Sequence, residues 1–445
     1  MKVTKAHYTN LVIGFGKGGK TLAAYLANQG EEIAIIERST GMYGGTCINI
    51  ACIPTKSLIT NAEKGIEYPD AHRIKDELVA ALRKKNYDKI ENLENSNVID
   101  GEASFLSENS ILLKTDEGEQ VITADRVFIN TGTEPFLPEI KGIQERRIYN
   151  STTIMELEIL PEKIAIVGGG FIGLEFADMF LKYGCEVTIF DRSDIFLPKE
   201  DLDIAESIRK NLTSRGLRIV SGVEIEQFLQ KDAGVEIQCT KADIKKTFFT
   251  DAVLMATGRT PVTEKLNLGA AGIDTDERGF VKVNDQLQTS AKNVWAIGDV
   301  NGGPQFTYIS LDDFRVIKNQ LFGGEYDSIK KRKSFATVVF ISPPFARVGI
   351  SEKEAQEKGL NYSVFTLSAE NIPKAAILQQ KEGLLKAIVE KGTGKILGCM
   401  LYCAEAHEFI NIVQLAMNSG LRYEVLRDSI YTHPSMAESF NDLFS

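Results

Sequence analysis

No run in this chain approaches the roughly 18 consecutive apolar residues of a membrane-spanning helix. The opening string MKVTKAHYTNLVIGFG holds no apolar stretch long enough for a secretory signal. A cytoplasmic protein is therefore expected. Basic residues are in deficit: 51 Lys and Arg stand against 61 Asp and Glu, a net charge of −10. Nucleic acid and anionic membrane both demand clustered Lys and Arg, so neither is expected as a main partner. Low-complexity linkers and short-period repeats are missing as well. Cysteine is sparse, at six residues, and Cys185, Cys239, Cys399 and Cys403 show neither a Cys-x-x-Cys pair nor a histidine spacing suited to zinc. Those four are assigned to the core, and no metal site is expected.

The other two cysteines carry the most information. They sit in Gly44-Gly45-Thr46-Cys47-Ile48-Asn49-Ile50-Ala51-Cys52-Ile53-Pro54-Thr55-Lys56, just past a predicted strand and a glycine-rich turn. In a reducing compartment such a pair points to catalysis or metal binding before it points to a structural staple. An ideal α-helix running from Cys47 to Cys52 would rise roughly 7.5 Å and rotate roughly 140°. A disulfide needs Cα atoms closer than about 7 Å, so the segment must depart from ideal helix. Pro54, which lacks a backbone N–H, is expected to end or bend the helix. Ala51 carries a Cβ that disfavours positive φ, so right-handed backbone is expected there.

The pattern strand, glycine turn, helix, strand occurs twice. The first copy runs from Asn10 through Gly14, Gly16 and Gly19, along a helix to about Asn28, to a strand over 32–37 that ends in Glu37. The second runs from Lys163 through Gly168, Gly170 and Gly173, along a helix to about Tyr183, to a strand over 186–191 that ends in Asp191. In both, the acidic residue follows the first glycine by 23 positions. Each is a dinucleotide fingerprint: the glycines let backbone approach a diphosphate, the helix N-terminus supplies free N–H groups, and the carboxylate accepts ribose hydroxyls. Gly14 to Thr21 also satisfies the phosphate-loop pattern through Gly19-Lys20-Thr21. The placement of Gly16, the spacing of Glu37 and the second copy favour a dinucleotide over a nucleoside triphosphate. Two dinucleotides beside a redox cysteine pair suggest FAD and a nicotinamide cofactor. A carboxylate at Asp191 repels a 2′-phosphate, which favours NADH; Arg192, which could turn toward such a phosphate, keeps NADPH open.

The cysteine string resembles the active-site signature of the class I pyridine nucleotide–disulfide oxidoreductases, dimeric flavoproteins that include glutathione reductase, dihydrolipoamide dehydrogenase and mercuric reductase. The likeness extends over nearly the full chain. It implies an α/β fold with two Rossmann-like dinucleotide-binding domains and a C-terminal α+β dimerisation domain. The expected divisions are an FAD-binding part over 1–149, an NAD(P)-binding part over 150–260, a return segment over 261–330 and an interface domain over 331–445. FAD falls to the first fingerprint, with further contacts implied at Gly45, Thr46, Lys56, Thr131, Gly132, Gly298 and Asp299. The nicotinamide cofactor falls to the second, with Phe171, Arg192 and Gly258 nearby. Phe171 stands where the family has an aromatic lid, although plain helix packing would also account for it. The resemblance further implies a Cys47–Cys52 disulfide, a Lys56–Glu175 ion pair beside the flavin, and a His433–Glu438 acid–base dyad that reaches the partner subunit of a homodimer. Within that scheme Cys47 attacks the substrate and Cys52 lies nearest the flavin. Pro434 is a candidate for a cis bond.

The strings around Gly14, Met42 and Thr432 most resemble the bacterial hypothiocyanous acid reductases of the reactive-chlorine-resistance branch. A small sulfur electrophile is then the implied partner. The chain lacks the N-terminal metal-capture domain, the paired C-terminal cysteines and the redox extension of some relatives. Reduction of a low-molecular-weight disulfide (glutathione, lipoamide or coenzyme A disulfide), or of Hg(II) or Cu(II), would use the same motifs. Of the remaining histidines, His7 and His72 are expected on the surface and His407 at the start of an interface helix. An amphipathic helix is expected from about Lys75 to Glu94.

Overall fold

The computed structural model describes residues 4–445. Its first sheet grows from β1 (His7–Ile13), in which successive side chains serve opposite faces. Leu11 and Ile13 enter one apolar core and Val12 the other. A turn leads to α1 (Lys17–Asn28) and on to β2 (Ile33–Glu37), where all five residues are buried, as a parallel strand covered on both faces requires.

The cysteine segment then departs from ideal helix as the spacing demands. α2 (Thr46–Asn49) stops, Ile50 and Ala51 turn out of helical geometry, and α3 (Cys52–Glu63) begins. Ala51, at φ −141° and ψ −103°, avoids positive φ but is not right-handed helix. Pro54 ends nothing. It lies in the first turn of α3, where N–H groups have no helical acceptor and proline is tolerated. The break comes before Cys52 instead.

α4 (Tyr68–Glu91) starts seven residues earlier than the apolar periodicity suggested, with Pro69 in its first turn. On it His72 is only 14% exposed, with Nε2 3.1 Å from the Met155 carbonyl. The surface assignment of His72 is thus overturned, whereas His7 is exposed. β3 (Ser96–Asp100), β4 (Glu102–Ser107), β5 (Ser110–Thr115) and β6 (Gly118–Ile129) complete the sheet in the order β3-β2-β1-β6-β5-β4.

β7 (Thr133–Pro135) leaves this unit and β8 (Ile148–Asn150) opens the next. β9 (Lys163–Val167), α5 (Phe171–Lys182) and β10 (Glu186–Asp191) repeat the first motif. Again Ile164 and Ile166 serve one core while Ala165 and Val167 serve another. α6 (Leu202–Ser214) and β11 (Arg218–Ser221) follow. An antiparallel ribbon of β12 (Glu224–Gln230), β13 (Val235–Lys241) and β14 (Ile244–Thr250) precedes β15 (Ala252–Met255), which gives the parallel order β11-β10-β9-β15-β8. β16 (Arg259–Pro261) pairs with β7. Past it, β17 (Val294–Ala296) returns to pair with β6, and α7 (Thr307–Phe322) packs on α1.

The C-terminal unit holds β18 (Thr337–Val339), β19 (Phe345–Gly349), α8 (Glu352–Glu357), β20 (Tyr362–Ser368), α9 (Pro373–Ile377), β21 (Leu384–Glu390), β22 (Ile396–Tyr402), α10 (Ala406–Asn418), α11 (Tyr423–Arg427) and α12 (Ser439–Leu443). Its antiparallel sheet runs β18-β19-β22-β21-β20. Phe409, Ile410 and Val413 of α10 share a core with that sheet and with Phe440 and Phe444 at the chain end. Each contributes about 1.5–3 kcal/mol by burial. The architecture is the expected α/β fold, two parallel dinucleotide-type sheets plus an α+β unit. Cys185, Cys239, Cys399 and Cys403 are all buried, as assigned. No helix among the described residues is long and apolar enough to cross a membrane.

Candidate functional site

The two glycine turns share one geometry. Gly14 has φ +97°, and a Cβ there would lie 2.5 Å from the Asn130 carbonyl oxygen; Gly168 has φ +111°, with the Ala256 carbonyl at 2.4 Å. Only glycine meets both conditions. α1 is capped by Gly16 and α5 by Gly170, neither of which has a side chain to cap with; in α1 the Gly18 and Gly19 N–H groups donate instead to Ser310 Oγ at 3.0 Å and Asn130 Oδ1 at 2.9 Å. Glu37 accepts the Phe15 N–H at 2.9 Å and the Ser39 N–H at 3.2 Å. Asp191 accepts the Gly169 N–H at 3.0 Å and the Ser193 N–H at 2.9 Å. Burial raises the Glu37 carboxyl above its ordinary range, against those two bonds. A glycine turn leading into a helix beside a carboxylate fits a diphosphate and a ribose, twice over. Gly19 and Gly173 close these turns, each with other atoms crowding its missing Cβ. Phe171, the first residue of α5, is exposed, and so is Arg192.

Thr131-Gly132 and Thr257-Gly258 lead into β7 and β16, which pair as an antiparallel ribbon. Thr133 donates to Asp299 at 3.1 Å and receives Arg259 Nε at 2.8 Å. Thr131 donates to the Val262 carbonyl at 2.7 Å, and Gly132 and Gly258 both take positive φ. The Gly298 N–H donates to Asp313 at 2.7 Å, which ties the Asp299 loop to α7. Burial pushes Asp299 above the usual carboxylate range. Asp313 was not singled out from sequence. Asn130 opens the string Asn130-Thr131-Gly132-Thr133, which with Ala256-Thr257-Gly258-Arg259 resembles the family's crossings between the two nucleotide units. Its Oδ1 accepts the Gly19 N–H at 2.9 Å and its Nδ2 donates to the Ile297 carbonyl at 2.7 Å.

Gly45 caps α2 at φ +77°, and a Cβ on it would lie 2.7 Å from Gly16 Cα. That close approach seats Thr46 and Cys47 against the first dinucleotide turn. Cys47 and Cys52 are both free thiols and half-buried. Cys52 Sγ lies 3.7 Å from Thr307 Oγ1, the first residue of α7. The Cys52 thiol is drawn down to about 6, chiefly by a hydrogen bond from Cys47, then by Thr307 and the Lys56 charge, against its burial. Cys47 is pushed up by the same bond and by its own burial. The two directions together favour a thiolate at Cys52 over one at Cys47.

Lys56 on α3 meets Glu175 on α5, Nζ to Oε2 at 2.5 Å. Phe340, which sequence reasoning passed over, braces both: its N–H donates to Glu175 Oε1 at 2.9 Å, and its ring centroid lies 4.8 Å from the Lys56 ammonium. His433 Nδ1 lies 2.7 Å from Glu438 Oε2, and Glu438 is held below its usual range by that bond. The His433–Pro434 bond is cis. His433 is 71% exposed on its own chain, and its bond goes to Glu438 rather than to either cysteine. Among the described residues no cluster of His, Cys, Asp and Glu is arranged to hold a metal ion.

A thiol pair with one depressed and one elevated member, a cation on the depressed side and two glycine turns that open dinucleotide-type helices can pass an electron pair between a dinucleotide and a sulfur acceptor. Residues 8–313 match the family model of the pyridine nucleotide-disulphide oxidoreductases, and residues 335–444 match that family's dimerisation domain. Over 439 residues the chain is 44% identical to a probable pyridine nucleotide-disulfide oxidoreductase, RclA, of Escherichia coli K12, covering 98% of this chain and 99% of that protein. It is 33% identical over 453 residues to a mercuric reductase of Staphylococcus aureus, covering 97% and 81% of the two. The Cu(II) complex of the HOCl-induced flavoprotein disulfide reductase RclA from Escherichia coli superposes with a TM-score of 0.96 at 44% identity, over 99% of each chain.

Proposed function

Because this chain belongs to the pyridine nucleotide-disulphide oxidoreductases, we propose that it is an NADH-dependent, FAD-containing reductase of hypothiocyanous acid that works as a cytoplasmic homodimer. The observation that carries the reading is the division of labour within the thiol pair, with Cys52 already inclined to the thiolate and Cys47 awaiting a base. Bound FAD and NADH supply the two electrons that return the Cys47–Cys52 disulfide to the dithiol. The diphosphates fit the glycine turns that lead into α1 and α5, and the riboses fit Glu37 and Asp191.

His433 of the partner subunit, held in one tautomer by Glu438, takes the Cys47 proton. The Cys47 thiolate attacks the sulfur of HO–SCN. An S–S bond forms and the S–O bond breaks, releasing hydroxide that is protonated to water. The Cys52 thiolate then attacks Cys47 Sγ and expels thiocyanate, which leaves the intramolecular disulfide. Lys56, fixed by Glu175 and Phe340, stands on the Cys52 side. The aromatic group of Phe306, Tyr308 and Phe335, with ring centroids 5.0–6.3 Å apart, flanks Thr307 and offers an uncharged wall suited to a small electrophile. The HOCl-induced character of the similar flavoprotein supports an oxidant-defence role.

The test is anaerobic NADH consumption by the purified holoenzyme with hypothiocyanous acid, oxidised glutathione, lipoamide and Hg(II) or Cu(II) at matched concentration. Fast turnover with hypothiocyanous acid, lost in Cys47→Ser, is the expected result. Turnover mainly with a disulfide or a metal ion would overturn the substrate and leave the dithiol chemistry standing.

A further inference from the structure

Lys20 is a buried cation that the scheme above leaves unused. In the sequence it completes the accidental phosphate-loop string; in the structure it turns away from that role. Its residue is 9% exposed, and Nζ donates to the Gly44 carbonyl at 3.3 Å and to Asn86 Oδ1 of α4. Among the described residues no carboxylate lies within ion-pairing distance of it, although desolvation of a buried ammonium ordinarily selects for one. The charged groups acting on it most strongly are Lys17 of its own helix, Lys89 of α4 and Cys47 of α2. The two lysines repel it. Cys47, once ionised, attracts it.

Its anchor point matters as much as its charge. Gly44 precedes Gly45, the cap of the short helix that carries Cys47. From the other side Arg83 donates to Asn49 Oδ1 at 2.8 Å, while Asn49 Nδ2 donates to the Tyr43 and Gly45 carbonyls at 3.0 and 2.9 Å. Lys20 on α1 and Arg83 on α4 thus clamp one turn between them.

We propose that Lys20 is a positioning residue for Cys47: it anchors the Gly44–Gly45 turn and sets an uncompensated positive charge behind the substrate-side sulfur. The inference rests on the reading of Cys47 as that sulfur. A second thiolate must form on Cys47 beside a Cys52 that is already negative, and like charges oppose it. Lys56 favours the Cys52 thiolate; Lys20 does the same for Cys47. Burial and Lys17 bring Lys20 down to about 8, so its support fades as pH rises through that value.

The test uses the anaerobically NADH-reduced holoenzyme and follows alkylation of Cys47 by iodoacetamide, peptide by peptide, across pH. Lys20→Met removes charge and anchor; Lys20→Gln keeps an amide donor for Gly44 and removes only the charge. Both are expected to alkylate Cys47 about tenfold more slowly at neutral pH, the equivalent of one pKa unit, with FAD content and Cys52 reactivity unchanged. The gap to wild type narrows above the Lys20 midpoint. Lys84→Met, at an exposed lysine of α4, is expected to match wild type. A wild-type alkylation profile in FAD-loaded Lys20→Met, or a loss confined to Met and absent in Gln, would overturn the proposal. Should neither variant hold FAD, Asn86→Ala leaves the lysine in place without its acceptor. A slowing in the same direction supports the proposal, and no change sinks it. Alkylation reads Cys47 whichever oxidant the enzyme reduces, so failure with hypothiocyanous acid does not touch this result.

Discussion

The Lys56 ammonium stands 2.5 Å from the Glu175 carboxylate, where α3 of the first dinucleotide unit meets α5 of the second. A third unit holds the pair in place, because Phe340, next to β18, contributes its N–H to the carboxylate and its ring to the cation. A hydrogen bond to a charged group contributes about 1.5–3 kcal/mol. Glu175→Gln is therefore expected to slow reduction of bound FAD by NADH about ten- to a hundredfold in stopped flow, with FAD still bound. An unchanged rate would reduce the pair to a structural tie between helices.

The Cys52 thiol is lowered, so its thiolate is present above about pH 6 and is lost as pH falls through that value. Removing a bond that favours the thiolate must move the midpoint up. Thr307→Val is expected to raise it by about one unit, equivalent to about 1.4 kcal/mol. Cys47→Ala should raise it further, since the bond from Cys47 is the larger influence. Ultraviolet thiolate absorbance of the reduced protein checks both. Equal midpoints in all three proteins would show that Cys52 is not stabilised by its neighbours.

Much of this site was legible because its signals are local. Gly14 and Gly168 announce turns that only glycine can make, and Glu37 and Asp191 fall at the spacing a βαβ unit sets. Thr307 and Phe340 were invisible for the opposite reason. Each reaches the cysteines or their ion pair from hundreds of positions or a whole domain away, and nothing in its own neighbourhood marks it. Pro54 misled because proline breaks a helix interior but suits its first turn, and sequence alone did not say where α3 began. His72 misled because α4 extends seven residues further upstream, which carries it under the Met155 carbonyl.

Asp191 is bound by two backbone amides, which fix its carboxylate at the end of β10 beside the second glycine turn. Asp191→Asn removes the charge that repels a 2′-phosphate. The ratio of kcat/KM for NADH over NADPH is expected to fall about tenfold or more, since one specific polar contact commonly discriminates at that level. Arg192→Ala should impair NADPH alone. A ratio untouched by Asp191→Asn would place nicotinamide choice elsewhere.

Lys386 of β21 is 3% exposed and sits 3.2, 2.9 and 2.7 Å from Asp201, Asp203 and Glu352. It joins the second dinucleotide unit to the C-terminal unit. Breaking a buried ion pair from one side costs about 3–5 kcal/mol. Lys386→Ala should lower the thermal midpoint accordingly while leaving the cysteines reactive in the protein that stays folded. Wild-type stability in this variant would show that the three carboxylates tolerate one another.

His433 is exposed on the chain that carries it, yet Glu438 already holds its Nδ1, leaving Nε2 as the free nitrogen. A histidine so prepared has no use on an isolated surface. If it completes the site of a second copy, Cys47→Ser and His433→Ala damage different halves of one machine. Each homodimer variant should be inactive or nearly so, with His433→Ala reduced about a hundred- to ten-thousandfold, the usual range for a lost acid–base group. A hybrid dimer of the two variants holds one site with both lesions and one with neither. It is expected to recover half the wild-type turnover per dimer when isolated through two different affinity tags. Were the dyad to act within its own chain, every site in the hybrid would carry a lesion, and the mixture would stay as inactive as its parents.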